Sequence, residues 1–135
     1  MKRKIQTKRV YEPPSRSDGT RILVDRIWPR GISKAEAALD GWIKDVAPSA
    51  ALRKWFGHEP ERWTAFKRRY THELDGNPQA VAELAAHLKD GTVTLVYAAR
   101  DPEQNNAAVL RQYLLARKPR KTRPSTRAKK AASRK

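Results

Sequence analysis

Two spacings of apolar residues alternate along this chain. Short runs of aliphatic and β-branched residues mark 5–12 and 21–28 as strands, the second built on Ile22-Leu23-Val24. Between them, Pro13-Pro14-Ser15-Arg16-Ser17-Asp18-Gly19 is turn chemistry throughout. Trp28-Pro29-Arg30-Gly31 ends the second strand, because proline removes a ladder donor and glycine accepts a positive φ. From there the spacing becomes three and four. Ser33 is placed to cap a short helix through Leu39, and Ser49 to cap another that carries Leu52, Trp55 and Phe56 on one face and stops at Gly57. Residues 60–74 show the clearest helical period, with Pro60 in the first turn, Trp63, Phe66, Tyr70 and Leu74 along the apolar stripe, and Arg62, Lys67, Arg68, Arg69 and Glu73 opposite. Asn77 and Pro78 open a further helix whose stripe is Val81, Leu84, Ala85 and Leu88, closed by Asp90-Gly91. Residues 92–99 form a third strand apolar enough to be buried on both faces at the centre of a sheet. The last helix is expected to start with the capping-box arrangement Asp101-Pro102-Glu103-Gln104 and to bury Ala107, Leu110, Tyr113 and Leu114.

The order strand, strand, helices, strand, helix predicts an α/β domain: a small, mostly parallel sheet of about three strands packed with helices. The second and third strands should be parallel, since helices cross between them. The direction of the first stays open, because a loop of about eight residues is short for a parallel crossover. Residues 1–117 suffice for one domain with one core. Residues 118–135 contain only Lys, Arg, Pro, Ser, Thr and Ala, and a segment with nothing to bury is expected to be a disordered basic tail.

Charge divides the chain the same way. There are 30 Lys and Arg against 14 Asp and Glu, a formal charge of +16. Residues 1–10 hold five basic residues and 117–135 hold ten, neither with an acid, so 11–116 is left at +1. The body is nearly neutral and the ends are basic. Such a tail attracts polyanions, and without aromatics or helical period it would hold nucleic acid independently of sequence; a role in solubility alone accounts for it equally well.

Cysteine is absent, which excludes disulfides, thiolate nucleophiles and cysteine-ligated metals, and fits a cytoplasmic location. Met1-Lys2-Arg3-Lys4 begins like a signal peptide, but polar residues follow where an apolar segment is required, and no stretch is long enough to cross a membrane. His58, His72 and His87 lie 14 and 15 residues apart, a spacing no metal motif uses. No nucleophile elbow, P-loop or dinucleotide fingerprint occurs, so no cofactor is implied.

Several motifs occur in register: Lys-Arg-Val-Tyr-Glu-Pro-Pro at 8–14, Asp18-Gly19 followed by Arg-Ile-Leu-Val-Asp-Arg-Ile-Trp-Pro-Arg-Gly at 21–31, Ala47-Pro48-Ser49, Leu-Arg-Lys-Trp-Phe-Gly-His at 52–58, and Thr-Leu-Val-Tyr-Ala-Ala-Arg-Asp at 94–101. Together, across residues 5–116, they resemble the YeaO-like branch of the domain-of-unknown-function family 488. The resemblance implies a bacterial α/β domain and brings no established activity with it. Other branches of that family tend to carry a cysteine near the end of the third strand and a Cys-His-Arg element in the following helix. Here those regions read Tyr97-Ala98-Ala99-Arg100 and Asn105-Asn106-Ala107, so thiol chemistry does not carry over. Tetrapyrrole methylation finds no support either, since a glycine-rich methyl-donor loop is lacking.

Ligands of open α/β sheets collect at the carboxyl ends of the strands. The second strand delivers Asp25, Arg26, Trp28 and Arg30 to that edge, and the third delivers Tyr97, Arg100 and the helix start with Asn105 and Asn106. Three guanidinium groups beside a helix N-terminus suit a phosphate or carboxylate. Asp25 would orient an arginine or act as a base, Trp28 would stack on a planar group, and Asn105 or Asn106 would supply amide contacts. A purely structural reading stands beside this one: Asp25 paired with Arg26, Arg100 paired with Asp101 or Glu103, and Trp28 in the core. His58 beside Glu59 has the composition of an acid/base pair, but its place at a helix joint reads first as a loop contact.

Overall fold

No side chain of Val93–Tyr97 reaches water, which requires a strand with neighbours on both edges and layers on both faces. The computed structural model describes residues 4–117 and places this segment inside a four-stranded, wholly parallel sheet. In chain order the strands are β1 (Ile5–Arg9), β2 (Thr20–Leu23), β3 (Gly41–Trp42) and β4 (Val93–Tyr97), and across the sheet they run β1-β4-β2-β3. Helices α1 (Lys34–Ala37), α2 (Ala50–Phe56), α3 (Trp63–Asp75), α4 (Pro78–His87) and α5 (Asn106–Ala116) complete an α/β domain. The disordered tail expected at 118–135 lies outside the described residues. Among those residues, no helix is long and apolar enough to cross a membrane.

The sheet has one strand more than the apolar pattern indicates. β3 is only two residues long, too short to show any alternation, and it pairs Gly41 with Ile22 and Trp42 with Leu23. A Cβ at position 41 would stand 3.1 Å from the Ile22 side chain, so a small residue belongs there. The direction of β1 is now settled as parallel, with Ile5 to Arg9 opposite Val93 to Tyr97. β1 and β2 do not pair; β4 lies between them. The ten connecting residues, extended, reach about 33 Å. That is enough to run back along a five-residue strand of about 17 Å and step across β4.

Alternation along the strands separates two cores. Ile5, Ile22, Val24, Val93, Leu95 and Tyr97 belong to the larger one, with Leu52, Phe56, Phe66, Tyr70, Leu84 and Leu110 from the helices. Val10, Leu23 and Val96 belong to the other, with Ala37 and the half-buried Trp28, Ile32, Leu39 and Trp42. Beside this second core lies a buried ion pair: Arg21 reaches Asp18 at 2.7 Å and donates its remaining hydrogen bonds to the Ala37 and Ala38 carbonyls, while Lys8 meets Asp18 from β1 at 3.1 Å.

Helix ends differ from the sequence expectation at three places, two in their boundary and one in its cap. α1 ends at Ala37 because Ala38 takes a left-handed conformation, φ 49°. Asn77 precedes α4 as expected, but its amide donates to the Asp45 carbonyl instead of capping the helix. The last helix starts at Asn106, not Asp101. The Asp101 carboxylate accepts from the Glu103 and Gln104 N–H groups and makes a separate turn, and the true cap is Asn105, whose Oδ1 accepts from Ala108 N–H at 2.8 Å.

Candidate functional site

β2 and β4 end side by side, and the segments that follow them diverge over the C-terminal edge of the sheet. The Val24 N–H still donates to the Val96 carbonyl, after which the ladder stops and Asp25 and Ala98 are released. A cavity of about 650 Å³ opens at this edge. It is walled by the ends of both strands, Ala47 and Pro48, α2, His58, Phe66 of α3 and the N-terminus of α5. Its volume falls within the roughly 300–1,000 Å³ range of small-molecule sites.

Of the eight residues expected at a site, the structure brings five into this cavity: Asp25, Arg26, Arg100, Asn105 and Asn106. Trp28, Arg30 and Tyr97 are elsewhere. Trp28 packs on the opposite face of the sheet, its ring edge-on to Trp42 at 5.5 Å and its N–H given to the Ile32 carbonyl, and does not line this cavity. Tyr97 faces the larger core, where burial raises its hydroxyl above the ordinary tyrosine value. Arg30 is exposed, and its carbonyl accepts from Tyr11 Oη.

The two asparagines also differ from expectation. Asn105 is spent on structure, its Oδ1 capping α5 and its Nδ2 donating to the Asp101 carbonyl. Asn106 donates through Nδ2 to the Val24 carbonyl at 3.0 Å and to Asp25 Oδ1 at 3.1 Å. The other carboxylate oxygen of Asp25 accepts from the Ala98 N–H at 2.9 Å. Asp25 therefore ties the ends of β2, β4 and α5 together. Burial pushes its carboxyl above the ordinary aspartate value, against the hydrogen bonds of Asn106 and Ala98 and the field of Arg53.

Asp101, Gln104, Arg53 and His58 also line the cavity, and the last two were not expected there. Arg53 is an exposed residue of α2, one turn before Phe56, and only the tertiary placement of α2 against the strand ends makes it a pocket residue. His58 has φ 59°, a conformation costly for a residue with a Cβ, and its ring lies 5.8 Å from that of Phe56. The one sign of it in the sequence is the Gly-His step ending α2. Behind the cavity, Arg9 donates to the Ala99 carbonyl at 2.8 Å and helps fix the segment leading to Arg100.

Among the described residues, the only ion pairs are those that join Asp18 to Lys8 and to Arg21. The pairings Asp25–Arg26, Arg100–Asp101 and Arg100–Glu103 do not form. Arg26 makes one long hydrogen bond, 3.4 Å, to the Pro48 carbonyl. Three guanidinium groups thus line one concavity with their charge unmatched at ion-pair distance.

Two relatives resemble the chain over nearly their whole length. The uncharacterized protein YeaO of Escherichia coli (strain K12) is 47% identical over 110 residues, which cover 82% of this chain and 96% of YeaO. An uncharacterized protein of Mycobacterium tuberculosis (strain H37Rv) is 46% identical over 114 residues, 84% of this chain and 96% of the relative. No solved structure matches the chain significantly. The family model described as the inactive DUF488-N3 subclade matches residues 4–133, beyond the 5–116 span of the sequence motifs, and the chain belongs to that family.

Proposed function

We propose that this domain binds an anionic small molecule, bearing a phosphate or carboxylate, at the carboxyl ends of β2 and β4. One observation carries the reading: Arg26, Arg53 and Arg100 line a single cavity and have no ion-pair partner among the described residues. Planar guanidinium groups bind such anions bidentately, and the N-terminus of α5 adds a favourable field. The description of the subclade as inactive fits binding without turnover. Isothermal titration with inorganic phosphate tests it. Saturable binding by the intact chain, weakened about tenfold or more by Arg53→Ala and by Arg100→Ala, is the expected result. Absent binding, or binding that both substitutions leave intact, refutes it.

A second reading concerns the basic end. Ten Lys and Arg in residues 117–135 favour sequence-independent association with nucleic acid, separate from the pocket. The measurement that separates it from the first is a chain ending at residue 117.

A further inference from the structure

The cavity is not uniformly basic. Arg53, His58 and Arg100 are exposed at its rim, whereas Asp25 and Asn106 are half-buried. Each Asp25 oxygen accepts one hydrogen bond from the protein. A carboxylate has about four lone-pair directions, so about half of its capacity is left. Asn106 has the converse balance. Both of its amide hydrogens are used, on the Val24 carbonyl and on Asp25, which leaves its Oδ1 as an acceptor. The inner part of the cavity therefore sets the Asp25 and Asn106 acceptors beside the half-buried Arg26 and Gln104, a mixture that a hydroxyl, donor and acceptor at once, satisfies, while the rim offers the Arg53 and Arg100 guanidinium donors. Phe56, Phe66 and Pro48 supply apolar wall between them.

A ligand that is anionic throughout satisfies the rim and sets like charge against Asp25. A purely apolar tail on the anion covers the remaining lone pairs of Asp25 and the Asn106 Oδ1 without giving them a donor, a costly outcome. A molecule with an anion at one end and hydroxyl donors at the other satisfies both regions, and its C–H faces suit the apolar wall. Resting on the anion-site reading above, we infer that the ligand is a phosphorylated sugar or polyol, with its phosphate on Arg53 and Arg100 and a hydroxyl donated to Asp25.

The test is titration of the full-length chain with three probes: inorganic phosphate, ribose 5-phosphate, and pentyl phosphate, which keeps the carbons and the phosphate but lacks the hydroxyls. Phosphate contacts made by the basic ends are common to all three and cancel in the comparison. Ribose 5-phosphate is expected to bind at least about tenfold more tightly than either of the others. Asp25→Ala should reduce that advantage to less than about threefold. Ribose 5-phosphate binding no more tightly than pentyl phosphate, or an advantage that survives Asp25→Ala, overturns the sugar assignment and leaves the anion site standing. Failure of all three probes overturns the anion site itself. Should Asp25→Ala not fold, the comparison of ribose and pentyl phosphates on the unaltered chain decides.

Discussion

Two aspartates illustrate how local surroundings give one residue type opposite behaviour. At Asp18, burial acts to raise the carboxyl, but the Ser15 N–H, Lys8 and Arg21 overcome it and hold the group below the ordinary value of 3.8. At Asp25, burial wins over two hydrogen bonds and the more distant Arg53, and the value rises. The linkage signs are therefore opposite. Asp18 stabilises the fold above pH 3.8, and that stabilisation is lost as pH falls through its lowered value. Asp25 binds its proton more tightly folded than unfolded, so its favourable contribution holds below 3.8 and disappears as pH rises through the raised value. Urea denaturation from pH 3 to 7 should accordingly show Asp25→Asn gaining on the wild type as pH rises above about 4. A constant difference between the two would place the Asp25 carboxyl at its ordinary value. Asp18→Ala leaves the buried Arg21 without a counter-charge and should cost about 3–5 kcal/mol at pH 7. That deficit should shrink in acid, where the wild type loses the same interaction.

At the scale of elements, the links between strands and helices rest on a few positions. Gly19 precedes β2 with φ 64° and ψ −134°, and a Cβ there would stand 2.3 Å from the Thr92 carbonyl oxygen, which accepts from Thr20 N–H. Gly19→Ala must move β2 away from β4, and a loss of about 3 kcal/mol or more is expected in thermal or urea unfolding. Tyr70 ties α3 to the segment before α2 through the hydrogen bond from its hydroxyl to the Val46 carbonyl. Tyr70→Phe keeps the ring in the core and orphans that buried carbonyl, for about 1–3 kcal/mol. The sequence showed these elements unevenly. β4 and α3 were readable because five apolar or β-branched residues in a row and four large residues at helical spacing each fit one geometry. β3 was not, because two residues have no period. The start of α5 was displaced because Asp101 and Asn105 are both good caps, and only folding shows that Asp101 closes a turn of its own.

For the whole molecule, the rule that strand ends collect ligands located the cavity, since Asp25, Arg26 and Arg100 follow directly from where β2 and β4 stop. It could not supply Arg53 and His58, which come from another part of the chain, nor exclude Trp28, whose face depends on how the chain turns after Arg26. The charge of the molecule separates more cleanly. Residues 118–135 contribute nine Lys and Arg, whereas the pocket contributes three arginines opposed by Asp25 and Asp101. The two sets predict different salt behaviour. If six or more tail charges contact duplex DNA, affinity should fall by about a thousandfold or more between 50 and 200 mM salt. Ending the chain at residue 117 should remove that salt-sensitive binding while leaving the unfolding midpoint and the titration with phosphate unchanged, because the described residues of the two cores and of the cavity all lie between 5 and 114. Filter binding across a salt series measures the first and calorimetry the second. Salt-sensitive DNA binding that survives the truncation would transfer the nucleic-acid surface to the fold. Exposed Lys67, Arg68 and Arg69 on α3, with Arg69 stacked on Trp55 at 4.2 Å, would then be the groups to substitute first.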